Sequence, residues 1–339
     1  MTPAPRAAAA TFSLVDPELS ARVADRLEEV EARLRETVTQ ADELADAASR
    51  HLVVAGGKRL RPSLTLLASE LGTPGPDVVE AAVGVELTHL ATLYHDDVMD
   101  SAPARRGVPS AHEVWGNSVA ILVGDLLFAR ASRTIATLGP EAVVIQADTF
   151  ERLCLGQLHE TVGPPPGADP VAHYLQVLAD KTASLLATSA RLGAMFAGCP
   201  RDVVETVAAY GEKLGVAFQL ADDVLDLTSS AQESGKTPGT DLRERVPTMP
   251  VLLLRRRVAA GGSDAADRAL VGALDGDLSD DAALDDVVQR LRAHEVLVET
   301  RSQAVAWSAA AVDELAALPP GAVKDSMVTF AEALADRAS

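Results

Sequence analysis

From Pro17 to Ala259 the apolar residues of this chain recur at three- and four-residue spacing, and alternating β-branched runs are scarce. That spacing is the period of an α-helix, so the chain is constrained to bury helix faces against other helices. Abundant alanine and leucine favour the same state. The pattern predicts helices over 17–51, 62–71, 76–100, 112–138, 141–162, 170–196, 201–228 and 248–259, with further ones in the C-terminal third. Turn signals separate them: Pro103, Gly107 and Pro109 mark one loop, GPPPGADP at 163–170 a second, and SSAQESGKTPGTD at 229–241 a third. The segment 263–286, rich in Asp and Ala, reads as short solvated helices. The fold class is all-α. None of the loops resembles an interdomain linker, so 15–339 is expected to form a single domain behind a flexible tail at 1–14.

Charge narrows the function. Lys plus Arg is 30 and Asp plus Glu is 49, a net charge of −19, which opposes loose binding to nucleic acid or anionic lipid. An anionic substrate must therefore meet locally clustered cations or a metal. Cys154 and Cys199 have neither framework spacing nor a CxxC pattern, so reduced thiols and a cytoplasmic location are expected. The N-terminal stretch is too short and too weakly apolar for a secretory signal, and Asp125 interrupts the most apolar run, VAILVGDLLFARA.

One acidic pattern occurs twice. Asp96, Asp97 and Asp100 end LATLYHDDVMD, and Asp222, Asp223 and Asp226 end GVAFQLADDVLD. On a helix the first and last of each set share a face, with the middle one beside them. Without a cationic partner they repel. Hard oxygen ligands on one wall suit magnesium, which keeps water and bridges carboxylates to phosphates. With 49 acids in 339 residues, three acids in this spacing arise by chance about once. Two all-aspartate copies, each after strongly apolar helical turns, do not read as solvated faces.

Basic residues cluster near them. GGKRLRP at 56–62 sets Lys58, Arg59 and Arg61 beside two glycines and before a proline suited to a first helical turn. Arg105 and Arg106 precede Gly107 in the loop after the first aspartates, and a guanidinium fork matches phosphate oxygens. Lys181 with Thr182, and Lys236 in SGKTPGTD, are weak signals taken singly. ESGKT lacks the full Walker spacing and a preceding strand, so it is no P-loop.

Taken together, GGKRLRP, LYHDDVMDSAPARRG, GDLLFARA, DKTASLL and FQLADDVLDL followed by GKTPGTDLRE resemble, in order and spacing, the trans-type (E-type) isoprenyl diphosphate synthases of the polyprenyl synthetase family. The resemblance covers roughly residues 50–255. It implies a bundle of long helices around a central active-site cavity, of the isoprenoid synthase type, in a homodimer whose two aspartate motifs face each other across the cavity mouth. It also implies a transferase of isoprenoid biosynthesis that joins isopentenyl diphosphate to an allylic diphosphate, farnesyl or geranylgeranyl. Magnesium ions, about three per site with substrate bound, or manganese in their place, assist ionisation of the allylic C–O bond. Peripheral membrane contact would serve product release.

Residue by residue, the resemblance assigns Asp96, Asp100 and Asp222 to the metal, with Asp97, Asp223 and Asp226 in support. Lys58, Arg61, His89 and Arg106 go to isopentenyl diphosphate; Arg105, Lys181, Thr182, Gln219 and Lys236 go to the allylic diphosphate, Lys181 counting among the catalytic groups. His89 lies seven residues before Asp96, two turns away on the same face. Where many relatives carry Gly-Lys before a TLP-like turn, this chain has Arg245 and Val246, so Arg245 stands in for an expected lysine contact.

Product length in this family is read below the first motif. Ala81, Gly84, Thr88 and Ala91 share one face, and with Thr92 they form a chain-length wall of small residues. The competing explanation is that small residues let helices pack closely. The small wall, and the absence of a two-residue insertion between the paired aspartates and Asp100, predict an all-trans product of about seven to ten isoprene units. Rival readings are a short-chain geranylgeranyl or farnesyl diphosphate synthase, a class I terpene cyclase, and a partner-dependent subunit of a heteromeric synthase. Cyclases usually carry an Asn/Ser/Glu-type second motif, and non-catalytic subunits typically lose an aspartate motif; this chain keeps two complete sets.

Overall fold

The computed structural model describes residues 14–229 and 238–336. Most of the proposed N-terminal tail and the Lys236 loop lie outside the described residues. Helices account for nearly all the described secondary structure, as the period predicts. They are α1 Pro17–Val38, α2 Glu43–Val54, α3 Leu60–Ser69, α4 Asp77–Met99, α5 Ala111–Trp115, α6 Asn117–Ala136, α7 Pro140–Val162, α8 Pro170–Leu178, α9 Ser184–Phe196 and α10 Arg201–Thr228. After these come α11 Thr240–Arg243, α12 Met249–Ala259, α13 Ala265–Leu274, α14 Asp281–Arg292, α15 Glu295–Glu314 and α16 Ala322–Asp336. No helix among the described residues is long and apolar enough to cross a membrane.

Two predicted helices are interrupted, each for a local reason, and a third changes its winding. The span 17–51 divides into α1 and α2 because Asp42 caps a new helix, its side chain accepting from Ala45 N at 2.8 Å. The span 112–138 divides at Gly116, whose φ of 83° no L-residue adopts comfortably. The span 170–196 continues, but through a π-helical turn at Ala179–Ala183 between α8 and α9. Inside the predicted loop after α4 a short antiparallel hairpin forms, β1 Ala104–Arg105 paired with β2 Val108–Pro109.

The chain groups into two compact units. The first comprises the described part of Met1–Leu153 with Ser184–Gly211 and Glu314–Phe330; the second comprises Cys154–Ala183, Glu212–Asp313 and the described part of Ala331–Ser339. In the first, α4 is the spine, packed against α1, α3, α5, α6 and α9. It is apolar on nearly every side, as a central helix must be, burying Val78, Val85, Leu87, Leu90 and Tyr94. In the second, α12 packs on α8 and α13, and Tyr174, Leu220, Val224, Leu227, Leu253 and Leu291 belong to one buried cluster. Each unit thus holds one acidic set in a helix backed by its own core.

Candidate active site

In the first unit the three aspartates end α4. Asp96 is half-buried and Asp100 exposed, while Asp97 is 0% exposed and accepts from Arg105 Nε at 2.6 Å. The middle residue of the set therefore ties α4 to β1, leaving the first and last on the accessible side. Burial raises the Asp97 pKa above its ordinary value, opposed by the adjacent Arg105. Among the described residues its Oδ2 finds no hydrogen-bond partner, an orphaned buried acceptor of the kind a metal's water would satisfy.

The hairpin aims the second arginine. Arg106 and Gly107 form its tip with φ of 55° and 77°, the two-residue turn that ordinarily selects Asn-Gly. An arginine held there costs roughly 1–2 kcal/mol, and its side chain supplies the compensation. Its Nη1 donates to Leu52 O at 3.0 Å and to Gly56 O. The guanidinium lies against Gly57, where an added Cβ would sit 2.8 Å from Arg106 Cζ. The paired glycines therefore give the guanidinium room and a carbonyl acceptor.

Along 58–61 the cations point in different directions. Lys58 is exposed, Arg61 half-buried, and Arg59 only 4% exposed. Burial and the neighbouring Arg106 bring Arg61 down to about 10. His89, half-buried on α4, is pushed well below the ordinary imidazole range by burial and then by Arg61 and Arg106, so it is neutral near pH 7. Arg61, His89 and Arg106 thus share one electropositive region, with Lys58 exposed on the chain beside Arg59.

In the second unit the same division recurs. Asp222 and Asp226 on α10 are half-buried, whereas Asp223 is 4% exposed. Asp223 accepts from Tyr174 Oη at 2.9 and 3.0 Å and from Met249 N at 2.9 Å, fastening α10 to α8 and to the start of α12. Burial pushes its pKa well up, against the pull of those donors. Lys181 and the buried Thr182 sit in the π turn, and Lys181 Nζ donates to Glu160 on α7. The turn is tightly backed: a Cβ on Gly156 would lie 2.6 Å from Lys181 N. Gln219 is half-buried on α10.

Arg245, with φ of 61°, is exposed and its Nη2 donates to Gly276 O at 3.4 Å. It lines a cavity of about 430 Å³ with Leu242, Val246, Val251, Arg255 and Leu274. Of the small residues of α4, Ala81, Gly84, Thr88 and Ala91 are buried and Thr92 is half-buried. Gly84 meets Ile135 of α6, where an added Cβ would lie 2.6 Å from Ile135 Cγ1, and Thr88 Oγ1 accepts from Gln146 Nε2 at 3.3 Å. Ala91 is buried, and Thr92 donates to His89 O at 2.8 Å.

Four contributors were not singled out from sequence: Glu31, Glu86, Tyr174 and Glu160. Glu86 alone left a visible signal, a lone acid inside the apolar run AAVGVELTHL. Among the described residues no three His, Cys, Asp or Glu side chains converge to enclose a metal by themselves. The donor sets suit instead a hard cation held by one or two carboxylates and completed by water and phosphate oxygens, with Asp96 and Asp100 in one unit and Asp222 and Asp226 in the other.

Residues 42–287 match the family model described as Polyprenyl synthetase. The chain is 44% identical to a nonaprenyl diphosphate synthase of Mycobacterium tuberculosis over 318 residues, 93% of either protein. Among solved structures it is similar to a geranylgeranyl pyrophosphate synthase from Corynebacterium glutamicum complexed with calcium and isoprenyl diphosphate. That match has a TM-score of 0.83 and 40% identity, covering 96% of this chain and 99% of that one. It is also similar to a decaprenyl diphosphate synthase from Rhodobacter capsulatus, with a TM-score of 0.82, 35% identity, and coverage of 95% and 99%.

Proposed function

The chain belongs to the polyprenyl synthetase family, and on that premise we propose that it condenses isopentenyl diphosphate head-to-tail with an allylic diphosphate to give a long-chain all-trans polyprenyl diphosphate. The observation that carries this reading is the paired acidic architecture. In both sets the middle aspartate is buried and bonded while the outer two remain on the accessible side.

In this reading Asp96, Asp100 and Asp222 hold magnesium, and Asp226 supports them. When bound, magnesium supplies positive charge to the departing diphosphate; the divalent metal in the Corynebacterium relative's complex is calcium. Asp97 and Asp223 serve by fixing their helices. Arg105, Lys181, Thr182, Gln219 and Lys236 bind the allylic diphosphate, and fixed cations there favour the charge that develops as the C–O bond breaks. Lys58, Arg61 and Arg106 grip the diphosphate of the second substrate, and neutral His89 is a hydrogen-bonding partner to it. Held in place, the double bond of isopentenyl diphosphate attacks the allylic carbon; the proton then lost passes to the released diphosphate, so no side-chain base is required.

The nonaprenyl and decaprenyl relatives and the small Ala91 and Thr92 support a product of about seven to ten isoprene units. The Corynebacterium relative, named for a shorter product, favours geranylgeranyl diphosphate as the second reading. We further propose a cytoplasmic homodimer, supported by the free cysteines and by the exposed Ile121 and Leu122 on α6 and Val143 and Val144 on α7. Incubating the purified chain with magnesium, isopentenyl diphosphate and farnesyl diphosphate, then sizing the product, tests the reading. A main product of farnesyl or geranylgeranyl diphosphate refutes the long chain, and no product refutes the activity of the chain alone.

A further inference from the structure

The middle residue of the basic run behaves unlike its neighbours. Arg59 has a left-handed backbone with φ of 47°, a conformation arginine rarely adopts, and its side chain turns into the protein. Its nitrogens are all engaged: Nε donates to Glu31, Nη1 to Glu86 Oε1 at 2.7 Å, and Nη2 to Val53 O at 3.1 Å. A guanidinium so committed has no edge left for a phosphate. Arg59 therefore stands in a substrate-binding sequence without being able to bind substrate.

Glu86 is the counterpart. It is 1% exposed on α4, one turn before His89, and its Oε1 also lies 3.7 Å from Arg106 Nη2. A carboxylate this close to a diphosphate site would repel the ligand if it served no cation. Three guanidiniums, Arg59, Arg61 and Arg106, lie close together here, and Arg59 disfavours the charge of Arg106 as Arg106 disfavours that of Arg61. A buried carboxylate between two of them lets them stay together. The same contacts join three elements: Glu31 comes from α1, Glu86 from α4, and Val53 O from the end of α2. Arg59 is thereby the pin that sets the backbone of 56–61, and that backbone includes the Gly56 carbonyl to which Arg106 donates.

We propose that Glu86, acting through Arg59 and Arg106, is a positioning residue that presets the basic loop for the isopentenyl diphosphate, an inference that rests on the reading of this loop given above. Glu31 holds the other side of Arg59, and Lys58 stays exposed while Arg59 is drawn inward.

The test uses the full-length chain with steady-state kinetics and melting curves. Glu86→Gln keeps the shape and removes the charge; the KM for isopentenyl diphosphate rises about tenfold or more, while the KM for farnesyl diphosphate stays within about twofold. Arg59→Gln raises the same KM, and the double variant is no worse than the poorer single, because both act through one network. Unchanged KM in Glu86→Gln, or effects of the two singles that simply multiply, overturns the proposal. A loss of melting temperature with both KM values unchanged also overturns it, since that is what a purely structural pair would give. Should Glu86→Gln fail to fold, Glu31→Gln must raise the KM for isopentenyl diphosphate; no rise overturns the proposal. A wild-type chain that neither binds nor consumes isopentenyl diphosphate brings down the underlying reading as well, whereas an active wild type with an unaffected variant brings down this proposal alone.

Discussion

Removing one oxygen atom from α8 should loosen the second acidic set. In Tyr174→Phe the buried Asp223 carboxyl loses the phenolic donor at 2.9–3.0 Å and keeps only Met249 N at 2.9 Å. The tyrosine hydroxyl is a reliable donor, because burial and Asp223 push its pKa well above the ordinary value. Losing a hydrogen bond to a charged group costs about 1.5–3 kcal/mol, and to a neutral one about 0.5–1.5 kcal/mol. Burial favours the protonated form of Asp223, which places the expected loss near the overlap, about 1.5 kcal/mol. Urea unfolding of Tyr174→Phe, Asp223→Asn and the double variant measures it, with a coupling energy of about 1 kcal/mol expected between the two sites. Because Asp222 and Asp226 flank the residue that is pinned, kcat should fall about tenfold in Tyr174→Phe, with the isopentenyl diphosphate KM little changed. A midpoint unchanged from wild type, or zero coupling, would show that Tyr174 does not hold Asp223 and would remove the account of how α10 is anchored.

Two glycines and one buried aspartate give further tests. Gly57→Ala puts a methyl 2.8 Å from Arg106 Cζ at a φ of 153°, so the KM for isopentenyl diphosphate should rise more than about tenfold; an unaltered KM would exclude Arg106 from that substrate. Gly156→Ala forces α7 off the backbone of Lys181 and should cost about 1–3 kcal/mol by chemical denaturation, together with a fall in kcat. Asp267 has a pKa lowered by its hydrogen bond from His294, at 2.9 Å. A carboxylate depressed in the folded state stabilises above its unfolded pKa and loses that contribution as pH falls through the folded value. The stability gap between wild type and Asp267→Asn should therefore be full at about pH 7 and shrink below about pH 4; a gap independent of pH would contradict the ion pairing.

What the sequence made legible follows periodicity, and what it hid does not. The class and most helix spans came from the 3.6-residue period, which also placed Asp96 and Asp100, and Asp222 and Asp226, on common faces. The period could not say which side of each set faces the core. Spacing alone does not set Asp97 and Asp223 apart from their neighbours until Arg105 is seen to take one oxygen of Asp97, and Tyr174 and Met249 N to engage Asp223. The partners come from distant parts of the chain, and nothing local announces them. The π turn at Ala179–Ala183 leaves no residue signature either; it is permitted by Gly156 on another helix.

The basic run shows the same limit more sharply, because a loop has no period at all. Read as a string, Lys58, Arg59 and Arg61 are three equivalent cations beside two glycines, and charge counting would send all of them to the substrate. Backbone geometry separates them. The left-handed turn at Arg59 inverts one side chain, and the buried Glu86 receives it. A lone glutamate within AAVGVELTHL was the available hint, since an acid in an apolar helix must find a cation or lose its charge. An acidic chain that binds two polyanions therefore needs more than a local excess of arginine. It needs some of its carboxylates placed where they organise those arginines without meeting the ligand, and Glu86 and Glu31 occupy that place in the first unit as Asp223 organises α10 in the second.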